Sequence, residues 1–414
     1  MVRESQLHPL SEKILVRGAR QLITLQGPEG PRRGAALNRL GIIHDGALLV
    51  QDGKILELGP SRRLENVIAA RGAREINAAG RVVMPGFVDS RMQPLIAELT
   101  PGAPDAGAPN PPRRPLAELQ ALPSGRLQAR AERVLARMAR HGTTTVSAGV
   151  LLGLGRPAAL KMLRILANAD DRPLSLIPTL HFAPPAEAQF NTESEIVSLC
   201  NQWLPSIAHR NLARFVEVNG GGAEMPVAQR FLERAENLGL GLRIRAGAST
   251  PALRLALERD TAGVILDDIA ATEVEALAES PATVLLAPTA RRSASHLLAR
   301  ALIDGGAAVA LTSGFGFEHA STYNMQMVIA LACSEMGMSA AEAIGAATIN
   351  GACALGLGDR CGSLQPGRRA DLIMLNVEDY RDIAYQFGVN HVHLVVKDGA
   401  IVYQEGEVAG CSDR

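Results

Sequence analysis

The chain lacks an excess of either charge. Its 414 residues carry 42 Lys and Arg against 42 Asp and Glu, so the formal net charge is zero. That removes the global electrostatic footprint expected of a protein that binds nucleic acid or an anionic membrane. No stretch approaches the roughly 20 uninterrupted apolar residues of a membrane-spanning helix. The opening residues, Met1 to His8, lack an apolar core, so no secretory signal is expected. Cysteine is sparse: Cys200, Cys333, Cys353, Cys361 and Cys411, with no Cys-x-x-Cys pair. Free thiols in a reducing cytoplasm are therefore expected, and a metal–thiolate site is not. A repeat of fixed period is also missing.

What is present is a large apolar fraction, 47%, against 20% charged residues, enough to build a sizeable core. Lys13 to Leu25 and Gly46 to Leu58 read as strands, the second interrupted by Asp52-Gly53, a tight-turn signal because glycine tolerates positive φ. Residues 101–125 are dense in proline and read as a long loop. From Arg126 onward, helical and β-prone stretches alternate. Helices are expected at 126–140, 156–168, 193–207, 226–238, 272–279, 294–304, 323–336 and 340–347, three of them opening on Thr192-x-x-Glu195, Thr272-x-x-Glu275 and Ser339-x-x-Glu342 capping boxes. Short apolar runs lie between them: Phe87-Val88, Thr143 to Val146, Leu174 to Leu180, Arg214 to Val218, Gly241 to Ile244, Gly263 to Leu266, Thr283 to Leu286 and Ala307 to Leu311. Eight such units predict an α/β fold, a TIM-like (β/α)8 barrel. After Gly362 the pattern returns to β. The two ends are expected to form one small β-sandwich domain, with residues 1–84 and 359–414 flanking a barrel of residues 85–358.

The stretch Pro85-Gly86-Phe87-Val88-Asp89-Ser90-Arg91-Met92-Gln93 resembles the first barrel strand of the amidohydrolase superfamily, Pro-Gly-Phe-Val-Asp-x-His-x-His. Several further stretches are similar to imidazolonepropionase, the hydrolase of histidine degradation. They are Pro31-Arg32-Arg33-Gly34, His181-Phe182-Ala183-Pro184-Pro185, Asp379-Tyr380-Arg381, and Tyr385 to Asn390. The resemblance implies hydrolysis of a cyclic amide by a metal-activated water, whose pKa falls from 15.7 to about 7 in favourable zinc sites. It also implies a homodimer.

The same resemblance places the family's site on altered residues. Arg91 and Gln93 stand at the two metal-binding histidines. Arg245 stands at the next histidine, Ala248 at a following polar position, Asp268 at a catalytic histidine and Ser313 at a metal-binding aspartate. His181 alone is kept, and it is a candidate base. A guanidinium stays protonated and cannot ligate a metal. The family zinc or iron is therefore expected to be absent, and metal-dependent hydrolysis with it. Two uses of the altered residues remain open. One is an anion pocket in which Arg91, Gln93, His181, Arg245, Asp268 and Ser313 hold a small anionic molecule. The other is internal neutralisation, with Arg91 paired to Glu217 or Asp89 and Arg245 to Asp267 or Asp268. The alternative function is an active hydrolase of cyclic-amide C–N bonds, with or without metal. A third reading is a partner subunit that uses the barrel exterior.

Other features have plainer explanations. His391-Val392-His393 reads as a surface or edge-strand pair. Gly220-Gly221-Gly222 lacks the Gly-Lys-Ser/Thr of a phosphate loop. Glu318-His319 reads as a loop ion pair, and Met325, Met327, Met336 and Met338 as core filling.

Overall fold

The computed structural model describes residues 13–95, 120–169, 173–182, 193–220, 225–247, 250–266, 270–289, 296–316 and 322–406. The N-terminal strands are β1 (Ile14–Ile23), β2 (Ile42–Gln51), β3 (Lys54–Pro60), β4 (Arg74–Asn77) and β5 (Val82–Pro85). The barrel strands are β6 (Phe87–Met92), β7 (Thr143–Leu151), β8 (Ser175–Phe182), β9 (Phe215–Asn219), β10 (Gly241–Ala246), β11 (Thr261–Leu266), β12 (Thr283–Leu286) and β13 (Ala308–Leu311). Three more strands follow, β14 (Leu372–Leu375), β15 (Val392–Lys397) and β16 (Ala400–Gln404).

The two ends of the chain share one sheet, in the order β16-β15-β14-β5-β1-β2-β3, with β4 added beside β1. Its core includes Leu22, Leu48, Val83, Leu372, Met374 and Leu394, drawn from both ends. Two Asp-Gly turns face each other there. Gly53 and Gly399 both have φ of +73°, and a Cβ on Gly399 would stand 2.8 Å from the Gly53 Cα, so backbone meets backbone where no side chain fits. Lys397 is fully buried nearby and is neutralised by Asp371 at 3.1 Å and Asp398 at 2.6 Å.

The second sheet is parallel, in the order β13-β12-β11-β10-β9-β8-β7-β6. All eight expected runs are strands of this barrel. Its last seam is not a strand ladder. It is closed by the backbone of Gly314 donating to Arg91 O at 3.2 Å and that of Gln93 donating to Phe315 O at 2.7 Å. Even-numbered positions of the central strands, among them Leu180, Val216, Val218, Leu242 and Ile244, join helix residues Phe231, Leu253 and Leu298 in the main core. Burial of each such side chain stabilises the fold by about 1.5–3 kcal/mol. Odd-numbered positions are left for the interior, as the twofold strand period requires.

Helices cover the outside. The expected helix at 193–207 spans 193–209 and contains a π-helical segment, Leu199–Trp203. A helix at Pro251–Glu258, not anticipated, starts at Thr250, whose hydroxyl accepts from the Leu253 amide at 3.3 Å. Ser339 and Glu342 form the expected reciprocal cap. The cap expected at Thr272 and Glu275 is instead two residues earlier: Glu273 accepts from the Ala270 amide at 2.8 Å, because the helix begins at Ala271. Thr192, most of the proline-dense loop, and Glu318-His319 lie outside the described residues. Among the described residues no helix is long and apolar enough to cross a membrane.

Candidate functional site

The site is built where strand ends converge. β6 carries Asp89 and Arg91, with Gln93 just past its end. β8 carries His181, β9 carries Glu217 and Asn219, and β10 carries Arg243 and Arg245. Register aligns His181 with Glu217, Glu217 with Arg243, and Asn219 with Arg245. Alternate residues on three neighbouring strands thus form two polar rows, one above the other.

Arg91 reaches across the barrel to Glu217. Its Nε lies 2.8 Å and a terminal nitrogen 2.7 Å from the same oxygen, Oε1. β6 and β9 are not neighbours in the sheet, so this pair crosses the interior. The side chains are 3% and 2% exposed. His181 Nε2 approaches that oxygen to 3.5 Å and Asn219 Oδ1 to 3.3 Å. Burial alone would raise the Glu217 carboxyl. The Arg91 charge, helped by His181, outweighs it and holds the group at about 2. Burial pushes the His181 imidazole down, against the pull of Glu217.

Asp89 serves a different purpose. It is fully buried and accepts from Thr312 Oγ1 at 2.6 Å, from Ser313 Oγ at 2.5 Å and from the Ser313 amide at 3.1 Å. Burial raises its carboxyl, and these donors from Ser313 and Thr312 oppose the rise. Ser313 is therefore a donor to Asp89, tying β13 to β6, rather than a hydroxyl held by a base.

Beneath the ion pair lies Arg243, which sequence reasoning missed. It is fully buried and donates to Ser90 O and Ser147 Oγ, both at 2.9 Å, while its guanidinium carbon sits 4.4 Å from the centre of the Phe215 ring. Burial lowers its pKa to about 10, so it stays charged at neutral pH. Arg243 is two residues before Arg245, and that spacing on a strand was the available signal.

The structure thus brings together Arg91, His181 and Ser313 through Glu217 and Asp89. Gln93 is buried beside them, 1% exposed, and its Nε2 has no hydrogen-bond partner among the described residues. Arg245 is half-buried in the upper row. Asp268, with Asp267 and Ala248, lies outside the described residues. Of the two partners considered for Arg91, Glu217 is the one taken. His391 and His393 are not an edge pair, since β15 lies between β14 and β16; His391 is buried, whereas the His393 side chain is 25% exposed. His391 meets Gln386 O at 3.1 Å and His393 meets Glu405 at 3.2 Å.

This architecture matches solved structures across nearly its whole length. The chain superimposes on E. coli guanine deaminase with a TM-score of 0.69 at 18% identity, covering 95% of this chain and 99% of that one. For A. niger ochratoxinase the TM-score is 0.68 at 15% identity, covering 96% of each chain. At these identities the likeness defines the fold alone, an eight-stranded barrel with a terminal β domain. The sequence goes further. The amidohydrolase family profile matches residues 230–402. The imidazolonepropionase of Solibacter usitatus (strain Ellin6076) is 34% identical over 93% of this chain and 97% of its own length. That of Symbiobacterium thermophilum is 33% identical over 95% and 98%. The chain belongs to the amidohydrolase family, in its imidazolonepropionase-like branch.

Proposed function

We propose that this protein keeps the amidohydrolase fold without metal-dependent hydrolysis. The observation that carries this reading is the buried Arg91–Glu217 pair at 2.7 Å. A catalytic zinc or iron needs imidazole and carboxylate ligands around an open position. Among the described residues no three His, Cys, Asp or Glu side chains are grouped to hold a metal. Asp89 is committed to Thr312 and Ser313, and Glu217 to a permanent cation, so the described residues do not fit such an ion. The carboxylate gripped by Arg91 and His181 is the protein's own, which favours internal neutralisation for these two residues.

Gln93 favours a ligand-binding use. Its buried Nε2 is a donor with no partner among the described residues, and Arg245 adds charge in the upper row. The ligand class that suits a guanidinium and an amide N–H is a small anionic molecule. Elemental analysis of native protein, coupled to an assay for opening of the imidazolone ring, tests the reading. No stoichiometric metal and no turnover are expected. Zinc or iron bound at stoichiometry, and removable with loss of turnover, overturns it. The family resemblance makes a cytoplasmic homodimer the expected assembly, to be checked by light scattering.

A further inference from the structure

His181 Nε2, Glu217 Oε1 and Asn219 Oδ1 meet at one place on β8 and β9. The imidazole nitrogen is 3.5 Å from the carboxylate oxygen and 3.3 Å from the amide oxygen. Nitrogen of this kind and oxygens of these two kinds are ligands of divalent cations. The site already contains a cation, supplied by the chain itself: two nitrogens of Arg91 lie on Glu217 Oε1 at 2.8 and 2.7 Å. With the Glu217 side chain 2% exposed, water cannot balance its charge, and a buried carboxylate needs a compensating cation or a proton.

We propose that His181, Glu217 and Asn219 form a cation site whose resident cation is the Arg91 guanidinium, and that removal of this side chain opens the site to one divalent metal ion. The proposal rests on the reading that the native chain holds no metal here, and it names the group that excludes one. The competing account is a purely structural pair, in which loss of Arg91 leaves Glu217 to take a proton and nothing binds.

The test is Arg91→Met, which keeps an apolar stem and removes the charge. Native and variant protein are dialysed against zinc chloride, desalted and analysed for metal. Melting temperatures are measured with and without zinc. The variant is expected to retain about one zinc per chain and to melt several degrees higher with zinc, while the native protein does neither. Adding His181→Ala to the variant is expected to abolish the uptake. The proposal is overturned by a folded Arg91→Met protein that takes up no zinc, or by uptake indifferent to His181→Ala. Should Arg91→Met fold poorly, the neutral pair Arg91→Met with Glu217→Gln serves as the folded reference. Recovery of Arg91→Met by zinc then supports the proposal, and absence of recovery overturns it. Zinc in the native protein counts against the proposed function, whereas the variants judge the cation site.

Discussion

At the scale of single residues, the interior runs on matched charge. Glu217 is held at about 2 against an ordinary 4.5, so the folded state binds a proton there less readily than the unfolded chain. The stability this gives is fully present above about pH 4.5 and is lost as pH falls towards 2. His181, held below its usual range, adds a loss of the same sign as pH drops through 6.5. Denaturant titrations from pH 7 to 3 are expected to show falling stability, and Glu217→Gln to flatten the limb below pH 4.5. An equally steep limb in that variant would refute the assignment. Ser313→Ala removes the hydroxyl donor from a buried carboxylate while leaving the backbone amide in place, and is expected to cost about 1–3 kcal/mol in the same measurement. Part of this was legible. The family resemblance places Arg91 at an altered motif position, and a buried guanidinium's need for a carboxylate leaves Glu217 and Asp89 as its two candidate partners. Arg243 was not legible, because an arginine in a strand reads as solvent-exposed unless the barrel's inward face is known. The donors on Asp89 were hidden for a related reason: Thr312 and Ser313 lie more than 220 positions away in the chain.

At the scale of elements, local signals and close approaches decide. Ser339 caps the helix Ala340–Ala346, and its partner Glu342 also meets Arg300 at 3.0 Å. Ser339→Ala is expected to cost about 0.5–2 kcal/mol, read as a lowered denaturation midpoint with unchanged slope. Gly86 joins the last strand of the terminal sheet's first half to the first barrel strand. A Cβ there would stand 2.2 Å from Thr144 Cγ2, a branched and fully buried side chain. Gly86→Ala is expected to destabilise by about 1–3 kcal/mol, and Thr144→Ala to relieve much of that in the double variant. The eight barrel strands were legible because each is a short apolar run bounded by turn residues. The helix at Pro251–Glu258 was missed although Thr250-Pro251 is a start signal, since only eight residues separate it from its end. The cap at Ala270 was missed because alanine's methyl group cannot accept a hydrogen bond, and the work falls to Glu273 alone.

At the scale of the whole molecule, both chain ends fold into one sheet and the barrel hangs between them. β5 pairs with β1 from the beginning of the chain and with β14 from its end. Lys397, wholly buried, binds Asp371 and Asp398 in that joint. Lys397→Met leaves the buried Asp371 without its cation and is expected to cost about 3–5 kcal/mol, seen as a lowered melting temperature. If the interior supplies its own cation, chelation with EDTA is expected to leave the melting temperature of the native protein unchanged. A drop of several degrees would place a metal in the fold.

The seam between β13 and β6 has a further consequence. Every other joint of the barrel is a ladder, but this one is a few stitches: Gly314 to Arg91, Gln93 to Phe315, and the Thr312 and Ser313 hydroxyls on Asp89. The barrel is in effect a book whose spine runs through β9 and β10 and whose clasp is Asp89. In deuterated solvent the amides of Gln93 and Gly314 are expected to exchange before those of Val216 and Ile244. Undoing the clasp with Asp89→Asn would then speed exchange at the covers while leaving the spine slow.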